Sequence, residues 1–296
     1  MTITIDPSQL TLLKRAPSGE NEWPFHGYKR MDHVSPSMLS KLVECPREWQ
    51  QRYLLDRPER PAENLVLGTA FHAAMELNMQ QKIASHEDMP LVEVVEWFDD
   101  SGFAAVVEAD QEKAGTEIIW DSSFEDTKTR GRLMVGRYHS EVSPRLQPTA
   151  VEGRFSVPMG LPVPVEGRFD LLTEATAIDW KSGKQRTSKP KTSWLIQAAI
   201  YSFATSRPVE FHSVSCSLAR HDVGIVTPLE SEELLVDLSI AEVDALQTTI
   251  RGLVDEACYY MRRYGPDQPW PTRGRFHMFA CDYCSFRDDC PAWSAA

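Results

Sequence analysis

Gly167-Arg-Phe-Asp-Leu-Leu-Thr-Glu-Ala-Thr-Ala-Ile-Asp-Trp-Lys181 reads as two short strands about a turn. The alternation over Val163–Thr173 and Thr176–Lys181 predicts a hairpin centred on Glu174-Ala175. In that register Asp170 opposes Asp179. Opposed residues on one sheet face have Cβ atoms about 5 Å apart. Two carboxylates that close repel unless positive charge lies between them. Mg²⁺ and Mn²⁺, which take carboxylate, carbonyl and water oxygens, suit such a pair. Lys181 follows Asp179 by two residues and shares its strand face. The same register sets Arg168 beside Lys181, an arrangement that makes sense with a phosphate across both. Paired carboxylates with an adjacent lysine suit phosphodiester hydrolysis: a metal activates water, and a lysine orients it or neutralises the transition state.

Working outward, Ala150–Pro158 is a further strand, joined through Met159-Gly-Leu-Pro162. A helix over Thr192–Thr205 and a strand over Val209–Ala219 follow, the latter pairing with His221–Pro228, and then a long helix over 232–263. Upstream, Ser35-Pro36 is a helix start, with Ser at the N-cap and Pro at the first helical position. Pro46 ends that helix or starts the next, Arg47 to Leu55. Helical patterns cover Gly68–Ala84 and stretches near 90–113 and 125–142. No internal repeat stands out. The expected fold is a mixed α/β, restriction-endonuclease-like core with three to five strands flanked by helices. The expected organisation is an irregular surface arm over 1–34 and helices over 35–84. A helical insertion over 85–148, the core over 149–265 and a cysteine-rich terminus over 266–296 follow.

The chain has 296 residues, 42% hydrophobic and 25% charged, ordinary for a globular protein. No apolar run is long enough for a membrane helix and no signal peptide is visible, so a cytoplasmic protein is expected, with no membrane partner. A net charge of −12 sits uneasily with nucleic-acid binding, but phosphate binding is local. Lys181, Lys184, Arg186, Lys189 and Lys191 form an acid-free basic stretch, and Arg262, Arg263, Arg273 and Arg275 a second cluster. There is no P-loop, so no helicase motor.

Six cysteines occur, of which Cys216 and Cys258 fall in apolar patterns that predict buried thiols. Cys281, Cys284 and Cys290 cluster, and Cys45-Pro46 stands far upstream. Four such thiolates suit a [4Fe–4S] cluster or a tetrahedral zinc, and spacing alone does not choose.

Ile178-Asp-Trp-Lys-Ser-Gly-Lys184, after Gly167-Arg-Phe-Asp170, resembles the catalytic core of RecB-like PD-(D/E)XK nucleases. Gly68-Thr-Ala-Phe-His72-Ala-Ala-Met-Glu76 resembles the family's histidine helix, and Gln197-Ala-Ala-Ile-Tyr201 its Gln-x-x-x-Tyr helix. Ser35-Pro-Ser37 and Cys45-Pro46 resemble its opening helix. The likeness covers residues 35–53, 67–77 and 150–204 with the C-terminal cysteines, and leaves 85–148 uncovered. It implies that His72, Asp170, Asp179 and the Trp180 carbonyl bind Mg²⁺ or Mn²⁺, with Lys181 as the catalytic lysine. Gln197 and Tyr201 then sit near DNA and the site, Glu152 lines it, and Glu76 orients His72. Asp179 stands where many relatives carry Glu, and either acid chelates metal. One upstream cysteine with a C-terminal trio resembles the iron–sulfur staple of AddB-type and CRISPR-associated exonucleases. That implies a [4Fe–4S] cluster on Cys45, Cys281, Cys284 and Cys290. The function implied is a DNA exonuclease preferring single strands or ends, in recombination, repair or CRISPR-like processing, with a helicase, recombination or CRISPR partner. The alternatives are an iron–sulfur DNA-end-binding subunit and a structural nuclease-fold subunit whose partner cuts.

Overall fold

The computed structural model describes residues 2–3, 23–29, 31–185, 187–217, 219–221, 224–226, 229–273, 281 and 284–294. Its centre is a mixed sheet in the order β1-β2-β3-β4-β5-β8. The strands are β1 (Thr2–Ile3), β2 (Ala150–Val157), β3 (Val165–Leu172), β4 (Ala177–Gly183), β5 (Val209–Cys216) and β8 (Leu229–Val236). Five of them are long, and the two-residue β1 extends the edge in parallel with β2. β4 and β5 are parallel, and the β2/β3, β3/β4 and β5/β8 pairs are antiparallel. A small hairpin of β6 (Ala219–His221) and β7 (Gly224–Val226) stands apart.

Helices cover both faces. The first apolar cluster packs α1 (Pro36–Glu44), α7 (Thr192–Thr205) and α8 (Ile240–Tyr264) on one face, through Leu39, Ile200, Phe211 and Val254. The second packs α3 (Glu63–Ser85), α4 (Leu91–Trp97), α5 (Phe103–Ala114) and α6 (Phe124–Glu141) on the other, through Phe71, Phe98, Tyr138 and Trp180. Residues 85–148 therefore share a core with the histidine-bearing helix. Parallel strands need helical cover on both faces, which is why β4 is buried on both sides over Ala177–Trp180.

Ser35 caps α1 as its sequence predicts, accepting the Met38 N–H at 3.2 Å. Trp23, Phe25, Met31 and Val34 are buried, so the described part of the expected surface arm is core instead. Residues 4–22 of that arm lie outside the described residues. The α2 turn (Pro46–Trp49) runs on through a π-helical turn, Gln50–Leu54. Here the chain's C-terminal part returns: the Trp49 and Trp270 rings stack at 5.2 Å, and buried Gln50 donates to the carbonyls of Pro266 and Gln268.

Three further expectations fail. β5 pairs with β8 and not with the segment that follows it, where β6 and β7 pair with each other. Residues 229–236 form strand β8, not the start of the long helix, because eight pairs with β5 outweigh a locally helical, Glu-rich stretch. The helix begins only after Ser239, whose capping box with Glu242 is complete. A repeat also exists: Val-Glu-Gly-Arg-Phe occurs at 151–155 and again at 165–169. The copies pair antiparallel about Arg154↔Arg168, and each Phe lies over the other copy's glycine. A Cβ at Gly153 would fall 2.1 Å from the Phe169 ring, so only glycine fits.

Candidate active site

The β3/β4 hairpin has the expected register, but the ladder holds only Leu171↔Ile178 and Leu172↔Ala177. Beyond it the strands part. The carboxylate of Asp170 replaces the next ladder bond, accepting the Trp180 N–H at 2.6 Å. The opened fork is the site, and α3 and α7 approach it from opposite faces of the sheet. This fork also overturns the Arg168–Lys181 juxtaposition. Arg168 remains on the β2 side, 2.5 Å from Glu152, whereas β4 carries Lys181 against β5 opposite Ser213.

From α3, His72 places Nδ1 3.3 Å from Asp170 and Nε2 2.9 Å from the Trp180 carbonyl oxygen. With both ring nitrogens so engaged, Glu76, which is exposed, does not orient the imidazole. Burial disfavours the charged ring, but the Asp170 carboxylate outweighs it and raises the His72 pKa. Reciprocally, burial raises Asp170 and His72 overrides it, holding the acid below its ordinary value.

Glu152 joins them. The β2/β3 register sets it opposite Asp170, the ladder skips that pair, and Glu152 takes a left-handed φ of 51°. Such a conformation is costly outside glycine and concentrates at functional sites. Burial, and then the charge of Asp170, push the Glu152 carboxyl up to about 7. Ligand atoms of His72, Glu152 and Asp170 lie within 4.8 Å of one another, a spacing one cation could bridge.

Asp179 faces the other way. It bonds Lys181, Gln197 donates its amide to it, and the Tyr201 hydroxyl stands 3.4 Å away. Gln197 accepts from Lys181 Nζ at 2.9 Å and donates to the Tyr201 hydroxyl at 2.8 Å, which in turn donates to the Arg168 carbonyl at 2.5 Å. Burial, opposed by Lys181, raises the Asp179 pKa. The predicted catalytic and metal-site residues thus come together, but as two adjoining groups: His72, Glu152 and Asp170, and then Asp179, Lys181, Gln197 and Tyr201.

A buried relay behind the site had no motif to announce it. The Trp180 indole donates to the Tyr138 hydroxyl at 2.8 Å, and that hydroxyl lies 2.7 Å from His212 Nδ1. His212 Nε2 reaches Glu210 at 2.9 Å. Glu210, His212 and Glu233 also come within metal-binding spacing, but Arg145 already holds Glu233 at 2.6 Å.

In the basic stretch, Lys184 is an ion-pair partner of Glu63 at 2.8 Å and Asp121 at 3.3 Å, not a free cation. Arg186 and Arg275 lie outside the described residues. Cys216 and Cys258 are buried as expected. Cys45, Cys281, Cys284 and Cys290 line one cavity together, with Glu48 and Arg47 beside them. Burial, and then the charge of Glu48, push the Cys284 thiol up to about 12.

A half-buried imidazole, three carboxylates and a lysine at a sheet fork define a metal-assisted phosphodiesterase centre. The PD-(D/E)XK nuclease superfamily model matches residues 33–291, and the chain belongs to that superfamily. It is therefore a phosphodiester-hydrolysing nuclease, of a kind that uses divalent metals such as Mg²⁺ or Mn²⁺ and acts on DNA. Among solved structures it is similar to SSO0001, at 15% identity and TM-score 0.34, covering 74% of this chain and 97% of that one. It is also similar to a candidate exonuclease from Eubacterium rectale, at 9% identity and TM-score 0.38, covering 77% and 80%. No curated protein matches. No helix among the described residues is long and apolar enough to cross a membrane.

Proposed function

We propose that this chain is a RecB-like DNA exonuclease preferring single strands, working with Mg²⁺ or Mn²⁺ in recombination, repair or CRISPR-like processing. The observation that carries the reading is the convergence of His72, Glu152 and Asp170 beside the Asp179–Lys181 pair. The donors fit a divalent ion: the carboxylates of Glu152 and Asp170 and the His72 imidazole would hold it, with the Trp180 carbonyl and Asp179 as further ligands. The imidazole favours Mn²⁺ over Mg²⁺. When bound, the ion supplies Lewis acidity at the phosphoryl group and makes water a competent nucleophile near neutral pH. Lys181, held by Asp179 and Gln197, donates to the charge developing on the scissile phosphate. Tyr201 and Gln197 fix the carboxylate of Asp179 so that this ammonium stays aimed. Unwinding, where it is needed, falls to a separate helicase.

The same reading gives Cys45, Cys281, Cys284 and Cys290 a [4Fe–4S] cluster, supported by their shared cavity. The cluster would tie the opening helix to residues 266–296, with 149–265 as the nuclease core. The test is cleavage of labelled single-stranded DNA with Mn²⁺, with and without chelator. Asp179→Ala and Lys181→Ala each lose roughly 10²–10³-fold or more in rate, with unchanged circular dichroism. Near-wild-type cleavage by either variant overturns the assignment.

A further inference from the structure

Directly beside Lys181 and Gln197 opens a groove of about 320 Å³. Helix α1 lines it with Ser37, Ser40 and the Lys41–Glu44 ion pair, the start of α7 with Ser193 and Trp194, and Arg52, 3.1 Å from Glu59, joins them. The two helices touch beneath it, where the Ser40 hydroxyl donates to the Ser193 carbonyl at 3.4 Å. Its volume lies near the lower end of the roughly 300–1,000 Å³ that encloses one small ligand. That is the scale of a nucleotide, not of a duplex.

The lining is of the right chemistry. Trp194 is half-buried, and its ring rests on Phe211 with centroids 5.1 Å apart, which stiffens it. The ammonium groups of Lys181 and Lys191 stand 5.7 and 5.6 Å from its centroid. Aromatic platforms with flanking cations are how proteins hold single strands without reading sequence, because every base has a π-face and every linkage a charge. Hydroxyls of Ser37 and Ser40 add donors for a sugar–phosphate backbone.

We propose that this groove seats one nucleotide of single-stranded DNA next to the scissile phosphate, its base stacked on Trp194 and its phosphates between Arg52 and Lys181. The proposal rests on the nuclease reading and deepens it, naming Trp194 as the determinant of strand preference. Inside a duplex both faces of each base are covered by its neighbours, and the terminal pair of a blunt end is too wide for a groove of one-nucleotide size, so a duplex gains nothing there.

The experiment measures binding, not cleavage: fluorescence anisotropy of a labelled oligonucleotide, single-stranded or as a blunt duplex, with Ca²⁺ replacing Mg²⁺ and Mn²⁺. Trp194→Ala is expected to weaken single-strand binding by about 5- to 100-fold and to leave duplex binding within about twofold. Trp194→Phe keeps most of the affinity. Ser37→Glu, on the exposed side of α1, places a negative charge in the groove and weakens single-strand binding without touching the core. Should Trp194→Ala lose its fold, Trp194→Phe and Ser37→Glu decide the matter between them. Wild-type affinity for single strands in Trp194→Ala, or in Ser37→Glu where that variant must decide, overturns the proposal. Equal losses for single strand and duplex, or no single-strand binding by the wild type, do so as well. If the wild-type protein nevertheless cleaves DNA, the nuclease reading survives; if it cleaves nothing, that reading falls separately.

Discussion

Replacing Glu63 by Gln removes one negative charge from the best-satisfied buried carboxylate of the protein's described residues. Glu63 is 1% exposed and opens α3, the helix that carries His72. It accepts the Ser122 N–H at 2.6 Å and the Ser122 hydroxyl at 2.8 Å, and it pairs with Lys184 at 2.8 Å and with buried Arg130. Burial pushes its pKa up, but the bonds from Lys184, Ser122 and Arg130 win and bring it from 4.5 to about 2. At 1.36 kcal/mol per pKa unit, that shift is worth about 3 kcal/mol. Removing one partner of a buried pair costs about 3–5 kcal/mol by an independent route, because Arg130 keeps its charge and loses its counter-ion. A carboxylate depressed in the folded state contributes its full stability above its unfolded pKa and loses it as pH falls through the folded value. The wild type therefore exceeds Glu63→Gln by about 3 kcal/mol near neutral pH, and the gap narrows by about 2 kcal/mol on acidification to roughly pH 3. Urea unfolding of both proteins across that window, followed by tryptophan fluorescence, measures it. A gap below about 1 kcal/mol at neutral pH, or one that does not change on acidification, would refute the reasoning.

Other outcomes follow from the relay and the cysteines. Tyr138→Phe leaves the Trp180 indole N–H and His212 Nδ1 facing each other across a lost hydroxyl in a fully buried space. Unfolding should be easier by about 1–3 kcal/mol, and cleavage should slow because Trp180 anchors the strand between Asp179 and Lys181; unchanged stability contradicts the relay. Cys284→Ser should bleach the brown colour of anaerobically purified protein and lower Tm, while Asp179→Ala keeps the colour. Colourless protein containing zinc and no iron rules the cluster out. The loss of Tm in Cys284→Ser should stop short of global unfolding, because the Trp49–Trp270 stack and the Gln50 bonds close the same junction without sulfur.

The local pattern of the chain determined a good deal. The turn at Glu174-Ala175 was enough to set the hairpin register, since the pairs count outward from a two-residue loop. Helix starts at Ser35 and Ser239 are written in single side chains, because a cap is a contact over three residues. Only tertiary structure decided the rest. That β3 and β4 part after two pairs depends on β5 claiming β4 in parallel, a pairing across an intervening helix that no local pattern encodes. The parting sends Arg168 to Glu152 and leaves Lys181 to Asp179. β8 is a strand only because β5 has a free edge to receive it. Tyr138 and His212 meet behind Trp180 from elements 74 residues apart, and nothing in either one's neighbourhood distinguishes it from ordinary core. Glu152 lay between these cases. Its place at the start of the first core strand was readable, whereas its left-handed backbone, and a carboxyl pushed up to about 7, depend on burial beside Asp170, which only the paired strands bring about.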